Sequence, residues 1–325
     1  MRHIAVLTSG GDAPGMNAAI RAVTRVAVDH GLRVSGVRDG YAGLTTGHFQ
    51  PLGRRDVGGV VHRAGTMLGS ARHPAFAEPE VQARAIEQMR AAEIDGLVVI
   101  GGNGSQCGAH ALSQAGWPTV GVASTIDNDL WGSDRTIGFD SATTVAVEAV
   151  DRLRATATSH HRIFVVEVMG RGCGDIAVHA AMAGGAEECL LPETVYDVDT
   201  VCARVLDSYQ RKGHAIVVIA EGAPPGATGL AERLRAGRAA VGLEHVEVRE
   251  SILGHVQRGG SPTVADRVLA SRLGDGAVHA LIRGEHGVLV GLRDGHVTTT
   301  PLAQVAGRTK GPDPTLVRLM NVLER

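Results

Sequence analysis

Apolar runs of strand length alternate with stretches of 3.6-residue periodicity almost from end to end of this 325-residue chain. That alternation predicts an α/β protein of largely parallel sheets flanked by helices. The residues His3–Thr8 read as the first strand, followed by a loop over 9–15 and a helix over Met16–His30. A second strand is predicted over Arg33–Arg38, a helix over Glu78–Ala92 and a strand over Gly96–Ile100. A turn at Gly101–Ser105 leads to a short helix ending at Gln114, and Pro118–Ala123 reads as a buried strand. Ser141–Ala157 reads as a long helix.

A second α/β series follows: strand Ile163–Val168, a helix from Gly174, helix Val198–Arg211, strand Ala215–Ala220 and strand Val246–Leu253. Helices over Thr263–Ile282 and Thr315–Leu323 complete the chain. The segment Gly222–Gly229, with two prolines, reads as a surface loop. Two series of similar size predict two lobes with a cleft between them, which suits a chain of this length.

A formal charge of -2 excludes a polybasic nucleic-acid binder on bulk grounds, although the basic residues are mostly arginine and recur near glycine-rich loops. With 3% aromatic residues the chain has little from which to build a base-stacking platform. Cys107, Cys173, Cys189 and Cys202 have no CxxC spacing, so neither a zinc site nor a disulfide framework is predicted. Arg21, Arg25 and Asp29 interrupt any apolar leader, and no apolar run of membrane-spanning length occurs. A soluble, cytoplasmic protein is expected.

The chemistry concentrates at the ends of predicted strands, where open α/β sheets bind ligands. Asp127 and Asp129 lie two residues apart in Thr125-Ile126-Asp127-Asn128-Asp129, just past the strand ending at Ala123. One such carboxylate can take a proton from a hydroxyl while the other helps hold a metal; an Asx turn would account for the same residues. Three glycine-rich turns also follow strands: Ser9-Gly10-Gly11-Asp12, Gly101–Ser105, and Gly254–Gly260 with His255 and Arg258. Backbone N–H groups at a strand–helix turn suit phosphate oxygens, and the third turn suits a phosphomonoester. Arg72, Arg162 and Arg171 lie near glycine turns or strand ends; each alone would serve as a solvated surface arginine, but several arginines beside glycine turns and an Asp pair match phosphoryl transfer.

Leu7–Arg21, Gly65–Arg72, Thr125–Asp129, Val168–Arg171 and Leu253–Pro262 together closely resemble the motifs of bacterial ATP-dependent 6-phosphofructokinases, in order and at family-like spacing. The resemblance runs from about residue 3 to residue 290. It implies a Mg2+-dependent kinase acting on ATP and fructose 6-phosphate. Residues 1–138 plus 257–305 would form the ATP-binding lobe, and residues 139–256 plus 306–325 the sugar-phosphate and effector lobe. Asp127 would be the general base, with Thr125 beside it and Asp129 near the magnesium. Gly11, Tyr41, Arg72, Gly102, Asn103, Gly104 and Ser105 would surround ATP, and Arg171 would steady the transferring phosphoryl. Met169, Gly170, Glu221, His255 and Arg258 would hold the sugar phosphate, and Arg162 and Arg249 would reach it from a neighbouring subunit of a homotetramer. An effector site for a nucleoside diphosphate or phosphoenolpyruvate would use Arg21, Arg25, Arg54, Arg154, Gly185 and Glu187. The patch Arg211-Lys212-Gly213-His214 matches that pattern with one residue missing, and Gly58 and Gly59 replace an expected polar pair.

The chain also departs from the family pattern at Asn103, and Ser124 matches neither subgroup of the family well. Asn103 stands where ATP-dependent members carry a magnesium-binding aspartate, which predicts weaker metal–nucleotide binding and leaves open a weakly active or regulatory subunit. Pyrophosphate-using relatives carry an aspartate and a lysine where this chain has Gly104 and Ser124. Gly104 leaves room for the ATP α-phosphate, which a carboxylate would repel, so ATP is the expected donor and pyrophosphate the alternative.

Overall fold

The computed structural model describes residues 1–324, and the chain divides into two units. The first comprises residues 1–126, 130–141 and 258–309; the second comprises residues 127–129, 142–257 and the chain from Lys310 onward. The Thr125–Asp129 loop is thus shared, its two aspartates belonging to the second unit.

The first unit opens with β1 (His3–Ser9), whose seven side chains are all buried, as a strand covered on both faces requires. There follow α1 (Met16–Asp29), β2 (Arg33–Val37), α2 (Gly40–Thr46), β3 (Phe49–Pro51) and α3 (Pro79–Ala91). Next come β4 (Gly96–Gly101), α4 (Asn103–Gln114) and β5 (Thr119–Ala123). The long α5 (Phe139–His160) starts in the first unit and continues in the second.

The second unit contains β6 (Arg162–Val168), α6 (Asp175–Gly184), β7 (Glu188–Leu190), α7 (Val198–Lys212), β8 (Ala215–Ala220), α8 (Gly226–Gly237) and β9 (Glu247–Ile252). The chain then returns to the first unit for α9 (Val264–Ile282), β10 (Val288–Arg293), β11 (His296–Pro301) and α10 (Leu302–Val305). It ends with α11 (Pro314–Leu323) in the second unit.

The first sheet has the order β11-β10-β5-β4-β1-β2-β3. Its five inner strands are parallel, and antiparallel β3 and β11 close its edges. The second sheet, β7-β8-β6-β9, is parallel throughout. Helix α1 buries Met16, Ala19, Ile20, Val23 and Ala27, one face at helical spacing. It packs closely on α9 because Gly274 has no side chain: a Cβ there would lie 2.8 Å from Ala22 Cβ and 2.9 Å from the Ala19 carbonyl. The buried Asp266 carboxylate ties the start of α9 to that of α5, accepting from Gly138 N at 2.9 Å, Ser141 N at 2.8 Å and Ser141 Oγ at 2.6 Å. These bonds satisfy N–H groups that a helix start leaves open.

Several elements differ from the sequence expectation. The loop expected at Gly222–Gly229 turns into α8 from Gly226 onward, because Pro224 and Pro225 precede the helix, where no backbone N–H is needed. The turn expected at Gly101–Ser105 is already helical from Asn103. The hairpin of β10 and β11 lay outside the expectation, although Asp294 and Gly295 both take positive φ, at 50° and 77°, as a tight two-residue hairpin turn does. β3 and β7, three residues each, are too short to show a period. Among the described residues no helix is long and apolar enough to cross a membrane.

Candidate active site

In the first unit the chain leaves β1 toward β2 on one side and returns to β4 on the other. This switch point lies between β1 and β4, whose ends Ser9 and Gly101 are paired in register. A crevice outside the carboxyl ends of the strands follows from such an order, and two of the predicted glycine turns flank it.

On the β1 side, Ser70 Oγ donates to the Gly10 carbonyl, and Arg258 Nη1 donates to the Asp12 carbonyl at 2.7 Å. The Arg258 guanidinium also lies against Gly11, where a Cβ would approach Nη1 to 2.6 Å. On the β4 side, α4 starts at Asn103 with Gly102 as its N-cap, which carries no side chain to cap the first turn. Backbone N–H groups and the positive end of the helix dipole are therefore presented to a ligand. A Cβ at Gly104 would meet nothing within 4 Å, so the protein leaves that space open.

Tyr41 is buried rather than displayed: its hydroxyl donates to the Ser105 carbonyl at 2.6 Å and its ring stacks on Phe76. It thereby holds the first turn of α4 in place. Arg72 is exposed in the segment after Ser70. Thr125 lies beside Gly102, 3.2 Å from where a Cβ would be, and its carbonyl accepts from Thr136 Oγ1 at 2.6 Å. Gln106, which no motif marks, is buried and donates from Nε2 to the carbonyls of Gly101 and Val122, fixing the ends of β4 and β5.

In the second unit β6 is central, with Val168 paired to Ala220 and Glu167 to Ile252. The segments Met169–Arg171, Glu221 and Gly254–Arg258 therefore leave neighbouring strand ends. Met169 N donates to Gln257 Oε1 at 2.8 Å, while Gln257 Nε2 donates to the Ala142 carbonyl at 3.3 Å. Gln257 is fully buried and was not among the residues predicted to act. Gly170 N and Arg171 N both donate to Glu221 Oε1, at 3.3 and 2.6 Å. Arg171 has a left-handed backbone with φ of 53°, an unusual conformation for a side-chain-bearing residue. His255 is exposed on the turn before Arg258.

Arg162 and Arg249 sit on adjacent strands and share one carboxylate. Glu247 accepts from Arg162 Nε at 2.6 Å and from Arg249 Nη2 at 3.2 Å. The bond from Arg249, with help from Arg162, keeps the Glu247 carboxyl below its ordinary pKa. Asp127 and Asn128 are buried and Asp129 is half-buried. The Asp129 carbonyl accepts from Lys310 N at 2.9 Å, and Asn128 Nδ2 donates to Asp175.

The residues that the resemblance assigns to an effector fall in both units. In the first, Arg54 pairs with Asp29 at 2.5 Å, and Arg21 and Arg25 lie one turn apart on α1. In the second, Arg154 donates to the Gly184 and Gly185 carbonyls and approaches Glu187 Oε1 at 3.4 Å. Lys212, not Arg211, contacts Glu187, at 3.1 Å; Arg211 pairs instead with Asp207 at 2.9 Å. His214 is half-buried between α7 and β8.

Among the described residues no three His, Cys, Asp or Glu side chains gather as a metal cage. A magnesium ion needs none: it keeps water and phosphate oxygens and takes one or two protein ligands. The open space at Gly104 and the uncapped start of α4 fit a metal carried on a polyphosphate.

The phosphofructokinase family profile matches residues 3–281. The chain is 52% identical over 329 residues to ATP-dependent 6-phosphofructokinase 1 of Thermus thermophilus, covering 99% of each. It is 47% identical to the ATP-dependent 6-phosphofructokinase of Lactobacillus delbrueckii subsp. bulgaricus, covering 100% of each. Among solved structures it is similar to Pichia pastoris phosphofructokinase in the T-state, with TM-score 0.87 and 34% identity; the match takes in 99% of this chain and 37% of that one. A pyrophosphate-dependent phosphofructokinase from Nitrosospira multiformis shares the fold at TM-score 0.88 and 23% identity.

Proposed function

Since the chain belongs to the phosphofructokinase family, we propose that it transfers the γ-phosphoryl group of ATP to the 1-hydroxyl of fructose 6-phosphate, giving fructose 1,6-bisphosphate and ADP. The observation that carries this reading is near-complete coverage at 47–52% identity by relatives named for that ATP-dependent reaction. The open space at Gly104 agrees with a nucleotide as donor.

Asp127 takes the proton from the sugar 1-hydroxyl as the oxygen attacks, and Thr125 helps to orient it. The transferring group passes through a charge-rich transition state for which positioning and neutralisation do most of the work. Arg171 supplies positive charge there, its backbone held by Glu221. Gly11, Arg72 and the start of α4 from Gly102 to Ser105 receive the nucleotide phosphates. Met169, Gly170, Glu221, His255 and Arg258 hold the sugar phosphate. Magnesium, when bound with the nucleotide, neutralises phosphate charge; Asp129 would assist in holding it, and at position 103 only an amide oxygen is offered.

Arg162 and Arg249 serve the sugar phosphate of a neighbouring subunit in a homotetramer, and their shared hold on Glu247 keeps both guanidinium groups in one place. Arg21, Arg25, Arg54, Arg154, Gly185, Glu187, Arg211 and His214 serve a nucleoside diphosphate or phosphoenolpyruvate effector at a subunit interface. A coupled assay of fructose 1,6-bisphosphate formation tests the reading, with Mg-ATP and Mg-pyrophosphate as alternative donors. Turnover with ATP is expected; turnover with pyrophosphate alone would reverse the donor assignment. Gly104→Asp should depress the rate with ATP by filling space reserved for the α-phosphate.

A further inference from the structure

Asn128, between Asp127 and Asp129, has a left-handed backbone with φ of 53° and is 5% exposed. Asparagine is among the few side-chain-bearing residues that accept this conformation. Its amide Nδ2 donates to Asp175 Oδ2 at 2.7 Å. Asp175 is equally buried and is the first residue of α6, where the helix dipole favours a carboxylate. His179, one turn further on, braces Asp175: its Nδ1 lies 3.2 Å from Asp175 Oδ1 and 2.9 Å from the Asp175 carbonyl. Burial, and then the carboxylates of Asp175, Glu193 and Asp129, push the nearby Cys173 thiol up to about 12, so it stays neutral beside them.

We propose that Asp175 is a positioning residue, whose carboxylate, braced by His179, holds Asn128 left-handed and so aims Asp127 and Asp129. The φ of Asn128 sets the direction in which the chain leaves Asp127 and enters Asp129. A hydrogen bond to a buried carboxylate is charge-assisted and stronger than a neutral one. Misplacing a reacting group by about 1 Å costs on the order of 100-fold in rate. The proposal rests on the reading of Asp127 as the base.

The test is a double-mutant cycle on kcat, both Michaelis constants and loop hydrogen exchange. Asp175→Ala should lower kcat about 10- to 100-fold with both Michaelis constants nearly unchanged. It should also speed amide exchange at residues 126–130 by about tenfold, the signature of local opening. Asn128→Gly removes the bond but keeps the left-handed backbone, since glycine adopts it freely. In that background Asp175→Ala should add little further loss. Asp175→Asn keeps an acceptor and should recover most of kcat; should Asp175→Ala not fold, Asp175→Asn carries the cycle with a smaller loss, again abolished by Asn128→Gly. Wild-type kcat and exchange in folded Asp175→Ala, or losses in either Asp175 variant that add fully to those of Asn128→Gly, would overturn the proposal. A wild-type chain without fructose 6-phosphate turnover would defeat the activity reading instead, and loop exchange would still judge the role of Asp175.

Discussion

Arg258 fills the space that a side chain at Gly11 would need. A Cβ at Gly11 would lie 2.6 Å from Arg258 Nη1 and 2.9 Å from its Cζ, while Nη1 donates to the carbonyl of Asp12. The contact brings a residue assigned to the sugar phosphate onto the first glycine turn.

Gly11→Ala should therefore act by displacing Arg258. Arg258→Ala is expected to raise the Michaelis constant for fructose 6-phosphate more than that for ATP, because a guanidinium–phosphate pair is lost. Gly11→Ala should reproduce part of that rise, and the double variant should be little worse than Arg258→Ala alone. Steady-state kinetics with each substrate varied will decide; additive effects would separate the two residues.

Asp127→Ser should leave fructose 6-phosphate binding largely intact while turnover falls about 10²–10⁴-fold, the usual effect of losing a general base. Calorimetric binding alongside the coupled assay separates the two quantities. Near-wild-type turnover would remove Asp127 from that role.

Asn103 begins α4 where the nucleotide phosphates would lie. Without a carboxylate at 103, turnover with ATP should be weak and depend strongly on free magnesium. Asn103→Asp should raise the maximal rate and lower the magnesium needed for half of it. The fold should accept the change, because an acidic residue suits the first turn of a helix. Superimposable magnesium titrations of the two forms would count against this.

Burial, and then the nearby Glu188 carboxylate, raise the Glu324 carboxyl from 4.5 to about 8. Its folded pKa exceeds its unfolded one, so its contribution to stability is greatest below 4.5 and is lost as pH rises through about 8. The melting temperature should fall between pH 6 and 9, by an amount that Glu324→Gln reduces. Parallel melting curves for the two forms across that range would show that Glu324 is not the group responsible.

Buried runs such as His3–Ser9 and Ala215–Ala220 have almost no polar alternation, so strand, sheet class and order of elements were legible in the chain itself. Helix ends were less so, since Pro224 and Pro225 look like a loop until they are seen to precede α8. The glycine turns and the Asp127–Asp129 pair could be found from sequence because strand ends mark them. Their supports could not: Gln257 holds Met169, Asp175 holds Asn128, Glu247 joins Arg162 to Arg249, and Arg258 packs on Gly11. Each of these joins positions distant in sequence, and such partners meet only once the folded chain brings them together. Local periodicity fixes which segments are strands and helices and in what order they follow, whereas element ends and the pairing of remote polar groups are set by strand order and packing, which the tertiary structure alone decides.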